Sequence, residues 1–271
     1  MTTSTSTQGA ALITGASTGI GALYAQRLAR RGHDLVLVAR SRDRLVSVAA
    51  RITSETGRKV EILVADLTDK QDMLKVERRL ASDSAIRMLV NNAGNSVGTP
   101  VSQSDPDALE AMIQLNVIAL TRLARAAAPA FVSRGGGTII NLASVVALAP
   151  TVLNGSYSGT KAYVLNLTQA LHHELAGAGL RMQAVLPGAT RTDFWESSGV
   201  PIENVPEEAV MTAEDMVDAA LAGLDQGELV TIPSLPDARD WQQFDAAREA
   251  LGPKLSRSQP ADRYRLALSA A

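Results

Sequence analysis

The sequence predicts an α/β fold, a Rossmann-like doubly wound parallel sheet with helices on both faces, in a single domain. Three observations support this prediction. Short apolar runs alternate with longer amphipathic runs from residue 10 to residue 192. The short runs are apolar throughout, as expected for strands covered on both faces. A glycine-rich turn joins the first apolar run to the first amphipathic one, which is typical of dinucleotide-binding folds.

The pattern places strands and helices in a regular alternating order. Strands are predicted at residues 10–14, 34–39, 60–65, 87–90, 138–142 and 181–186. Helices are predicted at residues 20–31, 42–57, 70–82, 107–133 and 157–177, and Pro129 lies near the end of the fourth. Because helical crossovers between parallel strands are right-handed, this order indicates one continuous sheet.

The pattern weakens after Thr192. Residues 196–208 are rich in Gly, Ser, Pro and Glu and are predicted to be mobile. A short helix at 213–225 and a brief strand at 229–232 follow, and the Arg-rich amphipathic stretch from residue 236 has no predicted role. Residues 1–9 are polar and are predicted to be a flexible tail. The expected organisation is therefore a tail at 1–9 and one domain at 10–271.

The composition excludes several classes of function. The net charge of -2 argues against a nucleic-acid or anionic-membrane partner. The chain has no cysteine, which excludes disulfides, thiolate catalysis and Cys-ligated metal, and its three histidines lack metal-site spacing. We find no secretory signal and no apolar stretch long enough to span a membrane, so a cytoplasmic protein without a metal is expected.

The turn after the first strand reads TGASTGIG at residues 14–21. Glycines there allow a tight turn and close backbone approach, and the amides at the start of the helix face an anionic pyrophosphate. A tight turn without a ligand is the alternative. The predicted cofactor contacts in this segment are Gly15, Ser17, Thr18, Gly19, Ile20 and Gly21.

The end of the second strand bears on the choice of dinucleotide. NAD-binding proteins carry an acidic residue there, which bonds the ribose hydroxyls. This strand is instead followed by Arg40, which can pair with a 2′-phosphate, so NADP(H) is favoured over NAD(H). Asp43 falls where the next helix starts and is assigned to that helix terminus. The alternative for Arg40 is a plain surface charge.

Two further strand ends fit a dinucleotide crevice. Asp66 and Leu67 end the third strand, where a carboxylate can accept a hydrogen bond from the adenine amino group. Asn92, Ala93 and Gly94 end the fourth strand, where small residues let the backbone lie against a cofactor. Each segment by itself is also compatible with a simple loop turn.

Tyr157 and Lys161 are four residues apart on a predicted helix and share one face. A nearby ammonium and a positive nicotinamide would both favour the phenolate, so this tyrosine is predicted to act as general acid and base. Ser144 follows the fifth strand and is predicted to bond the substrate oxygen. Asn116 lies in the preceding long helix and is predicted to hold a water that links Lys161 to solvent.

These motifs resemble the short-chain dehydrogenase/reductase family, in that family's order and spacing: TGASTGIG (14–21), NNAG (91–94), Asn116, Ser144, YSGTK (157–161) and PGATRT (187–192). The resemblance implies a catalytic tetrad of Asn116, Ser144, Tyr157 and Lys161. It implies that Lys161 bonds the nicotinamide ribose, and that the nicotinamide or diphosphate is contacted by Pro187, Gly188, Thr190 and Thr192. The basic residue after the second strand likewise implies NADP.

The same resemblance implies a variable substrate loop at about 194–210 and a homodimer or homotetramer formed through the helices at 107–133 and 157–177. Both helices are equally compatible with core burial. Leu153, Phe194 and Trp195 either line an apolar pocket or pack in the core. The glycines of RGGG at 134–137 precede a strand and are interpreted as a turn, since a phosphate loop would precede a helix.

The predicted function is therefore NADP(H)-dependent hydride transfer to or from a small carbonyl compound or secondary alcohol. An NADP(H)-binding sensor or scaffold with little turnover is the alternative. A methyltransferase on a similar sheet ranks lower, because it would leave the Tyr157–Lys161 pair without a role. The sequence carries no code that identifies the substrate, its stereochemistry or the physiological direction.

Overall fold

The computed structural model describes residues 8–195 and 201–264. Most of the predicted tail at 1–9 and part of the predicted substrate loop therefore lie outside the described residues. The chain divides into two compact units, Met1–Pro233 and Ser234–Ala271. The first unit contains the whole main sheet. The prediction of one domain from residue 10 to residue 271 stays a prediction.

The main sheet has seven strands: β1 Ala10–Thr14, β2 Asp34–Ala39, β3 Val60–Val64, β4 Ile86–Asn91, β5 Gly137–Leu142, β6 Leu180–Val185 and β9 Val230–Thr231. They are all paired in parallel, in the order β3-β2-β1-β4-β5-β6-β9. This confirms the predicted doubly wound fold. The strand order reverses between β1 and β4, which is where open α/β sheets bind ligands.

The helices cover both faces of the sheet. In chain order they are α1 Gly19–Arg30, α2 Arg42–Thr56, α3 Lys70–Ser82, α4 Pro106–Ile113, α5 Leu120–Ser133, α6 Gly155–Glu174 and α7 Ala213–Asp225. Strand side chains alternate between two core clusters: Leu37 packs in one, with α1, α2 and α7, and Leu12 packs in the other, with α3 and α5. Burial on both faces explains why the strands are apolar throughout.

Two long helices differ from their predicted form. The helix predicted at 107–133 contains a π-helical segment, Gln114–Ala119, between α4 and α5. The helix predicted to begin at Tyr157 begins at Gly155, because the Asn154 side chain caps its first turn and draws two more residues into the helix.

The stretch Pro106–Ser133 is long and apolar enough, by length and composition, to cross a membrane, because its most apolar window of 18 residues has a mean hydropathy of 1.3. The expectation that no segment would meet this criterion was therefore wrong. Phe131 and Leu123 are nevertheless buried against the sheet, and 44% of the most apolar window is buried. A buried core helix meets the same criterion, so the absence of a membrane partner stays a prediction.

A short parallel ladder closes the segment that follows β6. Strand β7, Thr190–Arg191, pairs with β8, Met211–Thr212. This pairing was not predicted, because two-residue strands leave no periodic pattern. It brings the two ends of the predicted substrate loop together. In the second unit, α8 spans Ala238–Glu249 and has no buried side chain among its residues.

Candidate active site

The glycine-rich turn lies between β1 and α1, as predicted. Thr18 is the N-cap of α1, yet its side chain makes no capping hydrogen bond and the first turn holds no acidic residue. The amides of this turn therefore stay available for an anionic ligand. The Ile20 side chain packs partly against the core, and Ser17 completes the turn.

At Gly15 and Gly21 the backbone of this turn is packed too closely for a side chain. A Cβ atom on Gly21 would lie 2.3 Å from the carbonyl oxygen of Gly15 and 2.5 Å from Nδ2 of Asn92. Gly15 itself has a φ of +65°, a conformation that favours glycine. Nδ2 of Asn92 donates to the carbonyl oxygens of Thr14 and Gly15, at 2.9 and 3.2 Å. The structure thus joins two of the predicted cofactor segments, 15–21 and 92–94.

Thr14 was not singled out in the sequence, and it holds this junction together. Its Oγ1 accepts hydrogen bonds from the backbone amides of Asn92 and Ala93, both at 3.0 Å, and donates to the carbonyl oxygen of Val90. Its place as the first residue of the glycine-rich motif was the available signal. These bonds fix the ends of β1 and β4 against each other at the switch point.

Arg40 is exposed directly after β2, and within the described residues its side chain has no hydrogen-bond or ion-pair partner. The N-cap of α2, Ser41, makes no side-chain capping bond, so the first amides of α2 also stay available. Asp43 lies in the first turn of α2, as predicted. A guanidinium beside open helix amides is suited to a phosphate group.

Asp66 and Leu67 follow β3. One carboxylate oxygen of Asp66, Oδ1, accepts from the amide and the hydroxyl of Thr68, at 2.9 and 2.7 Å. The Asp66 amide donates to Oδ2 of Asp72 at 2.9 Å. The loop is therefore held rigidly, with Leu67 buried beside it and the Oδ2 atom of Asp66 left for a further donor. The predicted adenine contact stays a prediction.

The segment after β6 returns to the glycine-rich turn. A Cβ on Gly19 would lie 3.4 Å from the Thr192 side chain, so these two predicted cofactor residues are neighbours. Thr190 Oγ1 donates to the carbonyl oxygen of Gly188 at 3.1 Å, and the carbonyl oxygen of Pro187 accepts from the amide of Val145 at 3.0 Å. Three predicted groups of residues thus converge on one edge of the sheet.

The predicted reacting groups also come together. Nζ of Lys161 lies 5.8 Å from the centre of the Tyr157 ring and donates to the carbonyl oxygen of Leu142 at 2.8 Å. The Ser144 side chain lies close enough to the Tyr157 hydroxyl to lower its pKa, and its Oγ donates to the carbonyl oxygen of Pro187 at 3.3 Å. Tyr157 and Lys161 are both buried.

Burial decides the protonation of this pair. It raises the pKa of Tyr157 above its ordinary value, and the Ser144 side chain opposes that rise. It lowers the pKa of Lys161 to about 8. The sequence predicted a phenol made more acidic by the lysine; in the chain by itself the loss of water outweighs that attraction, so the tyrosine is a neutral phenol.

Asn116 lies in the π-helical segment and is almost fully buried. Its Nδ2 donates to the carbonyl oxygen of Asn95 at 2.8 Å and to Oγ1 of Thr160 at 3.2 Å, while its Oδ1 accepts from the Asn95 amide at 3.0 Å. The side chain thus ties the turn after β4 to α6, and π-helical segments are frequent at functional sites. The predicted water-holding role stays a prediction.

Gly94 lies beside two residues of the predicted tetrad, Asn116 and Lys161. A Cβ placed there would be 3.1 Å from Oδ1 of Asn116 and 3.6 Å from Nζ of Lys161. Thr160 Oγ1 donates to the carbonyl oxygen of Tyr157 at 2.7 Å. This threonine was not singled out, although it belongs to the YSGTK motif, and it links Asn116 to the backbone of the predicted general acid.

A cavity of about 410 Å³ opens beside the Tyr157 ring. Phe194 packs against that ring, with the two centres 6.0 Å apart, and Nε1 of Trp195 donates to the carbonyl oxygen of Thr190 at 2.8 Å. The described lining residues carry no charged side chain: Ser96, Val97, Gly98, Pro100, Val101, Val152, Leu153, Asn154, Gly155, Tyr157, Phe194 and Trp195. Leu153, Phe194 and Trp195 therefore line a pocket, the first of the two alternatives left open by the sequence.

Comparison with known families and proteins finds one matching family. Residues 9–201 match the family described as short chain dehydrogenase. An uncharacterized oxidoreductase of Staphylococcus saprophyticus is 37% identical over 183 residues, which cover 67% of this chain and 78% of that protein.

Two groups of solved structures are similar over nearly the whole chain. A short-chain dehydrogenase from Sphingobium yanoikuyae in complex with NADPH is 50% identical, with a TM-score of 0.92, and covers 95% of this chain and 100% of its own. A bulky-bulky ketone specific alcohol dehydrogenase from Comamonas testosteroni is 43% identical, with a TM-score of 0.88, and covers 96% of this chain and 99% of its own.

Proposed function

This chain belongs to the short-chain dehydrogenase family, and we propose that it is an NADP(H)-dependent oxidoreductase that reduces uncharged ketones with apolar substituents and oxidises the corresponding secondary alcohols. The observation that carries the proposal is the placement of the Tyr157 phenol between Ser144 and Lys161 at the edge of an apolar cavity.

The cradle fits a dinucleotide. Gly15 and Gly21 let β1, the turn and α1 pack closely against Asn92, which fixes the start of α1, and the open amides there suit a pyrophosphate. When bound, NADPH supplies the hydride. Arg40, with no partner among the described residues, would hold the 2′-phosphate that distinguishes NADPH from NADH. The Sphingobium yanoikuyae protein, solved with NADPH, supports the same preference.

The side chains of this site handle one proton. A carbonyl oxygen between Ser144 and Tyr157 would accept hydrogen bonds from both hydroxyls. As the oxygen gains alkoxide character, the Tyr157 phenol transfers its proton to it, and the resulting phenolate is stabilised by the nearby Lys161 ammonium. Burial keeps the phenol protonated beforehand, which suits ketone reduction. Alcohol oxidation runs through the same groups in reverse.

The cavity supports a bulky substrate. A cavity of about 150 Å³ accommodates benzene, so 410 Å³ has room for two ring-sized substituents on one carbonyl. An uncharged lining would leave the phosphates of an acyl-CoA unpaired among the described residues. The named activity of the Comamonas testosteroni protein, which is specific for bulky-bulky ketones, supports the same class of substrate.

The test is NADPH consumption, followed at 340 nm, with a panel of diaryl and alkyl aryl ketones, short aliphatic ketones, sugars and acyl-CoA thioesters. We expect turnover of the aryl ketones, with NADPH preferred over NADH. Turnover confined to sugars or acyl-CoA would overturn the substrate class. NADPH fluorescence quenching without turnover of any compound would instead favour the sensor or scaffold alternative. The cytoplasmic location and the homo-oligomer stay predictions.

A further inference from the structure

Asn154 is the N-cap of α6, the helix that carries Tyr157. Its Oδ1 accepts hydrogen bonds from the backbone amides of Ser156 and Tyr157, at 2.8 and 3.3 Å. These two amides have no partner within the helix, so the cap stabilises the first turn. The backbone of the proposed general acid is therefore held directly by this side chain.

The other end of the same carboxamide holds a different part of the site. Nδ2 of Asn154 donates to the carbonyl oxygen of Thr99 at 2.6 Å and lies 3.3 Å from Oγ of Ser104. Residues 99–104, hereafter the pocket wall, form one side of the cavity through Pro100 and Val101. Ser104 Oγ donates to the carbonyl oxygen of Pro100 at 2.9 Å, which holds the two ends of this segment together.

Asn154 has no capacity left for a substrate. Both Nδ2 hydrogens and both lone pairs of Oδ1 have partners, and the residue is only 9% exposed although it lines the cavity. Contact with a polar substrate atom would break one of these bonds. The side chain therefore acts on the substrate only through the elements it joins.

We propose that Asn154 is a positioning residue that sets the distance between the pocket wall and the Tyr157 hydroxyl, and thereby the size of ketone that reacts; the proposal rests on the proposed function. A Cβ atom added to Gly155 would fall 3.8 Å from a Val101 methyl group, so the gap between Gly155 and the pocket wall is about the width of one methyl group. The wall and the start of α6 are thus adjacent surfaces joined by one polar side chain.

Substitution can separate the effect of the Asn154 oxygen, which caps α6, from the effect of its nitrogen, which bonds the pocket wall. Asn154→Ser keeps a good N-cap oxygen but is too short to bond Thr99, whereas Asn154→Ala removes both bonds. For Asn154→Ser we expect KM for diaryl ketones to rise about fivefold to a hundredfold with kcat unchanged, the range for the two lost hydrogen bonds of Nδ2 to Thr99 and Ser104. For Asn154→Ala we expect kcat to fall about tenfold as well, because the Tyr157 backbone loses its anchor.

Asp69→Ala is the matched control. Asp69 caps α3 through bonds to the amides of Gln71 and Asp72, and α3 contributes no residue to the described pocket lining. The Asp69→Ala variant should lower the melting temperature about as much as Asn154→Ala does, and it should leave kcat and KM for ketones unchanged. Unchanged KM in Asn154→Ser, or kinetics of Asn154→Ala that match those of Asp69→Ala, would overturn the proposal.

Hydrogen exchange provides a readout that needs no turnover. In the wall, the amides of Gln103 and Ser104 donate to the carbonyl oxygens of Pro100 and Val101. Asn154→Ser should speed exchange in the wall and leave the start of α6 protected, and Asn154→Ala should speed both. Unchanged exchange in the wall contradicts the proposal. If the wild-type protein reduces no ketone, the proposed function fails, and the exchange data still decide whether Asn154 joins the two elements.

Discussion

Nζ of Lys161 lies 5.8 Å from the centre of the Tyr157 ring, and its hydrogen bond to the carbonyl oxygen of Leu142 holds it there. The bond comes from the end of β5, so the sheet itself sets the distance between amine and phenol. Burial raises the pKa of the phenol and lowers that of the amine to about 8, so both groups are moved toward their neutral forms. A bound anionic or polar ligand would restore part of the lost solvation.

Replacing the phenol should separate catalysis from binding. We expect Tyr157→Phe to lower kcat by several orders of magnitude and to leave the Kd for NADPH unchanged, because the hydroxyls of Ser96 and Ser144 are much weaker acids than a phenol and cannot replace it as proton donor. Tyr163→Phe is the matched control on the same helix; its hydroxyl bonds Thr121 on α5. Normal turnover by Tyr157→Phe would exclude the proposed role.

The buried amine should make stability depend on pH. The pKa of Lys161 is about 8 in the folded chain and 10.5 ordinarily. Between these values the unfolded chain binds a proton that the folded chain does not, so the free energy of unfolding rises with pH. From pH 7 to pH 9.5, the wild type should gain about 2 kcal/mol relative to Lys161→Met. The free energy of unfolding is measured by urea denaturation at each pH. If it changes with pH in the same way for the wild type and for Lys161→Met, the amine is not buried.

The coenzyme preference should depend on one exposed arginine. We expect Arg40→Asp to raise the Kd for NADPH about tenfold to a hundredfold and to change that for NADH little, because only NADPH carries the phosphate that the guanidinium would bind. Arg51→Asp makes the same charge change on an exposed position of α2 and should leave both constants unchanged. Fluorescence titration measures the Kd of each variant for NADPH and for NADH. Equal losses of affinity for the two coenzymes in Arg40→Asp would mean that the 2′-phosphate binds elsewhere.

The glycine-rich turn should not tolerate a methyl group. In Gly21→Ala the Cβ would lie 2.3 Å from the carbonyl oxygen of Gly15, so the backbone must shift and NADPH binding should be lost together with stability. Gly159→Ala is the control, since its Cβ meets no atom within 4 Å, and it should stabilise α6 by about 0.5–1 kcal/mol. Retained NADPH affinity in Gly21→Ala would mean that the dinucleotide binds away from this turn.

Much of the fold could be predicted because its signals are local. Strand β2, for example, is apolar on both faces because Leu35, Val36 and Leu37 follow one another. Such a run can be recognised in the sequence without knowing which strands it pairs with. The helix predicted at 213–225 matches α7 at both ends. The pairing of β7 with β8 and the π-helical segment around Asn116 were not predicted, because neither depends on a periodic pattern in its own residues.

The candidate site likewise contains residues that could be predicted from the sequence and residues that could not. Residues that end the strands, such as Gly15, Arg40 and Asn92, could be named because parallel strands bring their carboxyl ends to one edge. The role of Asn154 could not be assigned, because its partner Thr99 is 55 residues away and no short-range pattern connects them. The start of α6 was misplaced by two residues for the same reason, since its cap was not recognised.

By itself, therefore, the sequence determined the order of strands and helices and the position of the glycine-rich turn, and it pointed to the Tyr157–Lys161 pair as the proposed reacting groups, because each of these signals depends on residues close together in the chain. Only the tertiary structure decided the apolar pocket beside Tyr157, the junction made by Asn154 and the direction in which the pKa of each group moves. The physical reason is that packing, long-range hydrogen bonds and desolvation arise from residues far apart in the chain, which come together only when the sheet has formed.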